Sequence, residues 1–450
     1  MKLVSITNPE LRRNLWLELT LHRLLAAPLV IALCAALILA ASEKDSLEIL
    51  TGAAGTGFVA TVLLWGTQLA GASVMDEARD RTWDAQRMSA IGPWSMTWGK
   101  LIGAPAFAWY GGGILLAIYL AAGSADGKWP VLRLAALMVA IAILLHAIAL
   151  NAGVLAARKN VNYRGSGVLI FLMLLMLMAG PGTMVMGSIG KSIRWWGMAV
   201  PQLDFLLGTA AAFAAWALLG AYRSMCNALE IRTTPWALPA FMGFAAAYFA
   251  GFAMRCNTTD PRALFGVFAC GVVIAGGFTY LMLFAESSGA ATWQRLRVRV
   301  NSNQWRRALQ ELPLWLVALA SGLIFAVGAT FTSAGGGKGS FLHEVGLAPV
   351  AVMLFALRDA ALFQFFALAR QPRRVEAATV FYLVLLYGLL PGLLKAAGAD
   401  AMADLVLPPL FTKPALATGI MLIHAGVAIS LAWWRWQTTH AQDGEASTKK

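Results

Sequence analysis

Apolar runs of about 20 residues recur along the whole chain, and this limits what it can fold into more than any other feature. A run of that length matches the hydrocarbon thickness of a bilayer when wound as a helix. Twelve such runs fall at about 24–42, 52–75, 99–123, 131–157, 166–188, 203–221, 236–254, 262–285, 313–333, 343–358, 377–396 and 413–434. Only 13% of the 450 residues are charged, against roughly 25% in soluble domains. The expected fold is an all-α polytopic membrane protein with about 12 transmembrane helices. No loop is long enough for a separate soluble domain, which needs at least about 50 residues.

Between the second and third runs lies the longest polar interruption, Asp76 to Lys100. It carries Asp76, Glu77, Arg79, Asp80, Arg81, Trp83, Asp84, Arg87, Trp94, Trp98 and Lys100. Read as one helix ending at Gly92-Pro93, it places Glu77, Arg81, Asp84 and Arg87 at spacings of four, three and three, a ladder of alternating sign. Met88 and Ile91 fall among these charges, so the segment has no separate apolar face for lipid. Exposed Trp83 and Met88 among ion pairs suit a protein partner. A solvated loop explains the same composition equally well.

The charge balance orients the chain. Of the 35 lysines and arginines, 25 fall on the side that holds the N-terminus, the C-terminal tail and residues 76–98. Basic loops stay cytoplasmic, so both termini and the polar segment are expected there. The same bias accounts for the net charge of +13 without any nucleic-acid partner. Cys34, Cys226, Cys256 and Cys270 lack metal-ligand spacing, and His22, His343 and His440 add no cluster. No metal or cofactor is expected.

The N-terminus reads as a helix over 8–23 lying on the membrane surface. Asn8 serves as N-cap, Pro9 occupies the first turn, and Leu11, Leu15 and Leu19 form a stripe. Arg12 and Arg13 face lipid phosphates. A second copy appears in Arg306-Arg307. Arginine pairs, prolines (Pro93, Pro372) and histidines (His146, His424) recur at offsets of 294, 279 and 278. The implied division is a six-span unit at 1–230, two linking spans at 231–292, a partial four-span repeat at 293–438, and a disordered tail at 439–450. In the second copy the counterpart of the polar segment is nearly all apolar, 359–369, and is expected at the membrane surface. His146, Asn151 and His424 lie inside runs and mark either a translocation path or hydrogen bonds between spans.

Two stretches resemble the permease subunits of ATP-binding-cassette (ABC) transporters of the exporter class. One is Asn8-Pro9-Glu10-Leu11-Arg12-Arg13, similar to the start of that class's surface helix. The other is Glu77, Arg81-Thr82, Pro93-Trp94-Ser95 and Gly99-Lys100, similar to its coupling region. The resemblance covers residues 1–225 best and weakens over 300–438. It implies a permease in a bacterial cytoplasmic membrane that moves an unknown substrate. Glu77, Arg79, Asp80, Arg81, Thr82, Trp83, Asp84, Arg87, Met88 and Lys100 would couple it to a separate, dimeric cytoplasmic ATPase. The twelve spans depart from the six usual in that class.

The chain has no phosphate-cradling loop of its own. Gly190-Lys191-Ser192 has Val185 where the first glycine belongs, and Gly337-Lys338 is followed by Gly339 and preceded by Thr332. Energy would therefore come from a partner, and the chain itself would not be an enzyme. Two alternatives remain: an ion-gradient-driven transporter, which calls for carboxylates inside spans, where only Asp359 is a candidate, and a membrane assembly protein without transport activity.

Overall fold

A computed structural model describes residues 8–41, 45–89, 91–127, 130–159, 190–253, 261–286, 289–334, 345–369 and 374–447. Within them the protein is an all-α polytopic membrane protein. Ten helices are long and apolar enough to cross a bilayer, and Ala237–Phe252 is a shorter apolar helix. Helices dominate because hydrocarbon offers no partner for backbone N–H and C=O groups. One short hairpin, Ser192–Trp195 with Met198–Pro201, is the exception. The run at 166–188 lies outside the described residues.

Two compact units emerge. The first comprises Met1–Ile193 and Ala199–Thr233; the second comprises Arg194–Met198 and Thr234–Lys450. In the first, the surface helix Pro9–Glu18 leads into the span Leu21–Ala41, none of whose residues is buried. The second span, Ser46–Arg79, contains a π-helical stretch, Val59–Gly66. Such stretches are rare and are often found at functional sites. Phe58, Val62 and Leu63 from this span form a core with Ala142 and Leu145 of the helix Val131–Lys159. A second core joins Val74, Met96, Leu101, Leu150 and Met225.

Three consecutive glycines, Gly111, Gly112 and Gly113, lower the helix propensity of the third span. The helix Ala106–Asp126 runs through them. A Cβ on Gly112 would lie 2.1 Å from Val62 Cγ2, so this glycine admits the second span. The irregularity comes earlier, in a π-helical turn at Gly99–Gly103 and the turn before Ala106, where Pro105 lacks an N–H to donate.

In the second unit, Pro261–Ala285 packs on Leu314–Ala334, and Ala348–Ala367 lies against both and against Pro414–Ser447. Val272, Leu283, Leu319, Met353 and Phe363 fill the core. Two expectations are corrected here. The tenth span does not end at 358, and 359–369 is not a surface helix. Ala348–Ala367 is one helix with Arg358 and Asp359 buried mid-length, since nothing between 350 and 367 breaks it. The tail at 439–450 was expected to be disordered, yet the last helix runs to Ser447. No proline follows Pro414, and each further residue adds one helical bond.

Candidate functional site: a neutral charge cluster beneath the polar segment

The surface helix is built as its sequence predicts at its start. Asn8 Oδ1 accepts from the Glu10 and Leu11 backbone N–H groups at 3.1 Å each. Its docking face differs from the expected leucine stripe. The two buried residues of the helix are Glu10 and Asn14, one turn apart. They lie on Gly99 and Gly103, also one turn apart: added Cβ atoms would come within 2.3 Å of Glu10 Cγ and 2.9 Å of Asn14 Cβ. Asn14 Nδ2 donates to the Gly99 carbonyl at 3.0 Å. Asn8 Nδ2 donates to the Ser95 carbonyl at 2.8 Å, and Ser95 Oγ donates to Asn8 Oδ1 at 2.6 Å. A polar face against a glycine groove thus replaces an apolar face against lipid.

The expected continuous helix from 76 to 91 is not formed. The second span ends at Arg79, and Arg81 adopts a left-handed backbone with φ of 58°. The Thr82 N–H bonds the Glu77 carbonyl at 3.0 Å, and the Arg81 N–H bonds the Ala78 carbonyl at 3.3 Å. This pair of bonds is the Schellman ending. Sequence gave no warning because arginine holds the position where glycine is usual, at roughly 1–2 kcal/mol. A five-residue helix, Trp83–Arg87, follows, then Pro93–Trp98. The charge ladder is broken at Arg81 and its members separate.

Glu77 turns inward. Its carboxylate pairs with Lys100 Nζ, accepts from Arg13 Nη2 at 2.6 Å and from Gln86 Nε2 at 2.6 Å. Lys100 also reaches Glu10 Oε1 at 3.4 Å and lies 5.6 Å over the Trp83 ring. Arg13 closes the ring of charges on Glu10 at 3.1 Å. The lysine and Glu10 side chains are each 1% exposed. Two carboxylates and two cations cancel, which is how a buried charge cluster becomes tolerable. Four separate stretches meet here: the surface helix, the end of the second span, the Trp83–Arg87 helix and the start of the third span.

The other coupling candidates face out. Arg79, Asp80, Arg81, Thr82, Asp84 and Met88 are exposed, Asp84 and Met88 to 80% and 83%. Arg87 reaches sideways to Glu230 at 2.6 Å. Glu230 itself has a left-handed backbone, φ 60°, in a second Schellman ending. Trp94 stacks edge-on with Trp98 and Tyr222.

Of the candidates inside spans, His146 Nε2 lies 2.9 Å from the Val62 carbonyl, in the π-helical stretch, and donates to it. Its ring meets Trp109 edge-on. Asn151 accepts from Ser224 on Gln202–Ala228, a different neighbour. His146 and Asn151 therefore contact different neighbouring spans. His424 belongs to the second unit. Arg12, Arg306 and Arg307 are exposed, the last two on the short helix Trp305–Gln310. Sequence reasoning missed Glu10, Asn14 and Gln86. The spacing of Gly99 and Gly103 was the available signal, since such pairs admit a close neighbour.

No family model, no curated protein and no solved structure matches this chain.

Proposed function

We propose that this protein is the membrane-spanning permease subunit of an ATP-driven transporter of the ABC exporter class, working with a separate cytoplasmic ATPase. The observation that carries the reading is the Glu10–Arg13–Glu77–Lys100 cluster. It fixes the surface helix, the polar segment and the third span to one another. A partner pushing on the exposed residues Asp80, Arg81, Thr82, Asp84 and Met88 would then move two spans and the surface helix together. A loop that merely stays in water needs no buried charge cluster beneath it. The charge bias puts this end of the first unit, and both termini, on the cytoplasmic side.

The test is capture of an ATPase. The tagged protein, purified from its native membrane in mild detergent, should bring with it a nucleotide-hydrolysing subunit. Asp84→Lys combined with Met88→Glu should abolish capture while leaving the protein folded. Capture of no ATPase by the unaltered protein sinks the proposal.

Asp359 lends weight to a second reading, a transporter driven by an ion gradient, because it lies within a span. Arg358 beside it disfavours a protonation cycle: protonating Asp359 would leave a buried guanidinium without its counter-charge. The ATP-driven reading is therefore preferred.

A further inference from the structure

The segment that joins Pro261–Ala285 to Leu314–Ala334 leaves one bilayer face and returns to it. Its ends are pinned together: the Leu314 N–H donates to Glu286 Oε2 at 2.8 Å. Two helices lie between, Ala290–Asn301 and Trp305–Gln310. The first is fastened at both ends to residues beside the spans. Near its start, Trp293 Nε1 donates at 3.0 Å to Gln364 Oε1, close to the end of Ala348–Ala367, and its ring meets Trp315 edge-on. Near its end, Arg299 Nε lies 3.4 Å from Glu311 Oε1, just before the next span begins. A helix held in this way at both ends runs along the bilayer face and not away from it.

Residues 290–310 hold five arginines and no carboxylate. Glu311 neutralises Arg299 alone. Arg295, Arg297, Arg306 and Arg307 are exposed, and among the described residues none of the four has a carboxylate within ion-pair distance. The surface helix of the first unit differs, since its Arg13 is taken by Glu10 and Glu77. Beside the four arginines stand Val298, Trp305 and Leu309, exposed to 60%, 58% and 53%. Trp305 and Leu309 are one turn apart and share a side of their helix. Tryptophan favours the depth of the lipid headgroups, and arginine stems lie along apolar surface with the charged end in the polar layer. The first helix thus supplies charge and the second supplies apolar anchors, at the level where headgroups begin.

We propose that the outer face of residues 290–310 is a docking surface for anionic phospholipid headgroups of the leaflet it lies against. Arg295, Arg297, Arg306 and Arg307 meet the phosphates, and Trp305 and Leu309 enter among the upper acyl carbons. The planar fork of a guanidinium matches two oxygens of a phosphate, and basic residues near an anionic surface add to one another's attraction. Arg299 and Trp293 are positioning residues that hold the first helix down on the spans. The surface belongs to the second unit and stands independently of the ATPase assignment.

Hydrogen exchange of the full-length protein tests this in phosphatidylcholine nanodiscs with and without phosphatidylglycerol. In wild type, phosphatidylglycerol should slow exchange over residues 290–310 by about tenfold, the effect of a ligand at about ten times its dissociation constant. Sodium chloride should reverse the slowing. Arg295→Gln, Arg297→Gln, Arg306→Gln and Arg307→Gln combined should abolish it, and lysine at the same four positions, which keeps the charge, should preserve most of it. Lys395→Gln with Lys413→Gln, exposed elsewhere in the second unit, should behave as wild type. Equal exchange by wild type in the two lipids overturns the proposal, and so does a slowing that salt leaves unchanged. Slowing in phosphatidylcholine alone on adding inorganic phosphate, a polynucleotide or an ATPase subunit, with none from phosphatidylglycerol, gives the surface to another partner and overturns it equally. Should the glutamine variant fail to fold, the salt titration of wild type decides.

Discussion

Glu77, at the end of the second span, is ion-paired with Lys100, in the first turn of the third, beneath a segment of 22 residues that separates them in sequence. Arg13 and Gln86 bind the same carboxylate from two other helices. Lys100 is 1% exposed, so the pair is a buried one. Removing one member of such a pair is far more damaging than removing both.

Lys100→Met should therefore destabilise the first unit by about 3–5 kcal/mol, the range for breaking a buried ion pair. Adding Glu77→Gln should recover a substantial part. Unfolding in detergent, followed in a double-mutant cycle, reads the coupling. Strictly additive losses would show that the two residues do not act as a pair.

Gly103→Ala should loosen the surface helix. The new methyl would sit 2.9 Å from Asn14 Cβ, 3.2 Å from Asn14 Nδ2 and 3.3 Å from Leu11 Cδ1, and a Cβ cannot yield without its backbone. Overpacking of this kind costs about 1–3 kcal/mol. Hydrogen exchange over Pro9–Glu18 should accelerate in the variant while the span Val131–Ala157 keeps its protection. Unchanged exchange would mean that the glycine groove is not what holds the helix.

Asp84 and Met88 face water, so Asp84→Lys and Met88→Glu should each alter stability by no more than about 0.5 kcal/mol. Their effect should appear in partner binding alone. A matched loss of folding and capture would place these residues in the architecture and not on a docking surface.

His146 closes a contact from the fourth span onto the Val62 carbonyl in the second. His146→Leu removes the donor and should cost about 1–3 kcal/mol, the penalty for a buried acceptor left alone. His146→Gln, which keeps an N–H donor, should recover part of the loss. If transport fails in both variants while stability is regained in the second, the ring has a role beyond this bond.

The membrane fold was legible in the sequence because its signal is local and repeated. A run of about 20 apolar residues carries its own backbone partners once wound, whatever its neighbours do. The Asn8 cap was legible for the same reason, since its acceptor meets N–H groups two and three residues on. The Arg81 break was hidden. Its bonds are local, but they demand a left-handed residue, and arginine does not advertise one. The tenth span was cut short at Arg358 because charge there reads as an end, whereas Tyr280 and Tyr387, 79 residues before and 28 residues after its neighbour Asp359, satisfy that carboxylate.

The sequence by itself determined that helices of membrane-spanning length recur along the chain and that residues 76–100 are polar. Only the tertiary structure decided that Glu77 looks inward while Asp84 looks out, and that Glu10 and Asn14, not the leucines, seat the surface helix. The physical reason is common to both outcomes. Apolar burial in a bilayer depends on what a segment is made of. The fate of a charge depends on whether an opposite charge, from a distant part of the chain, is there to meet it.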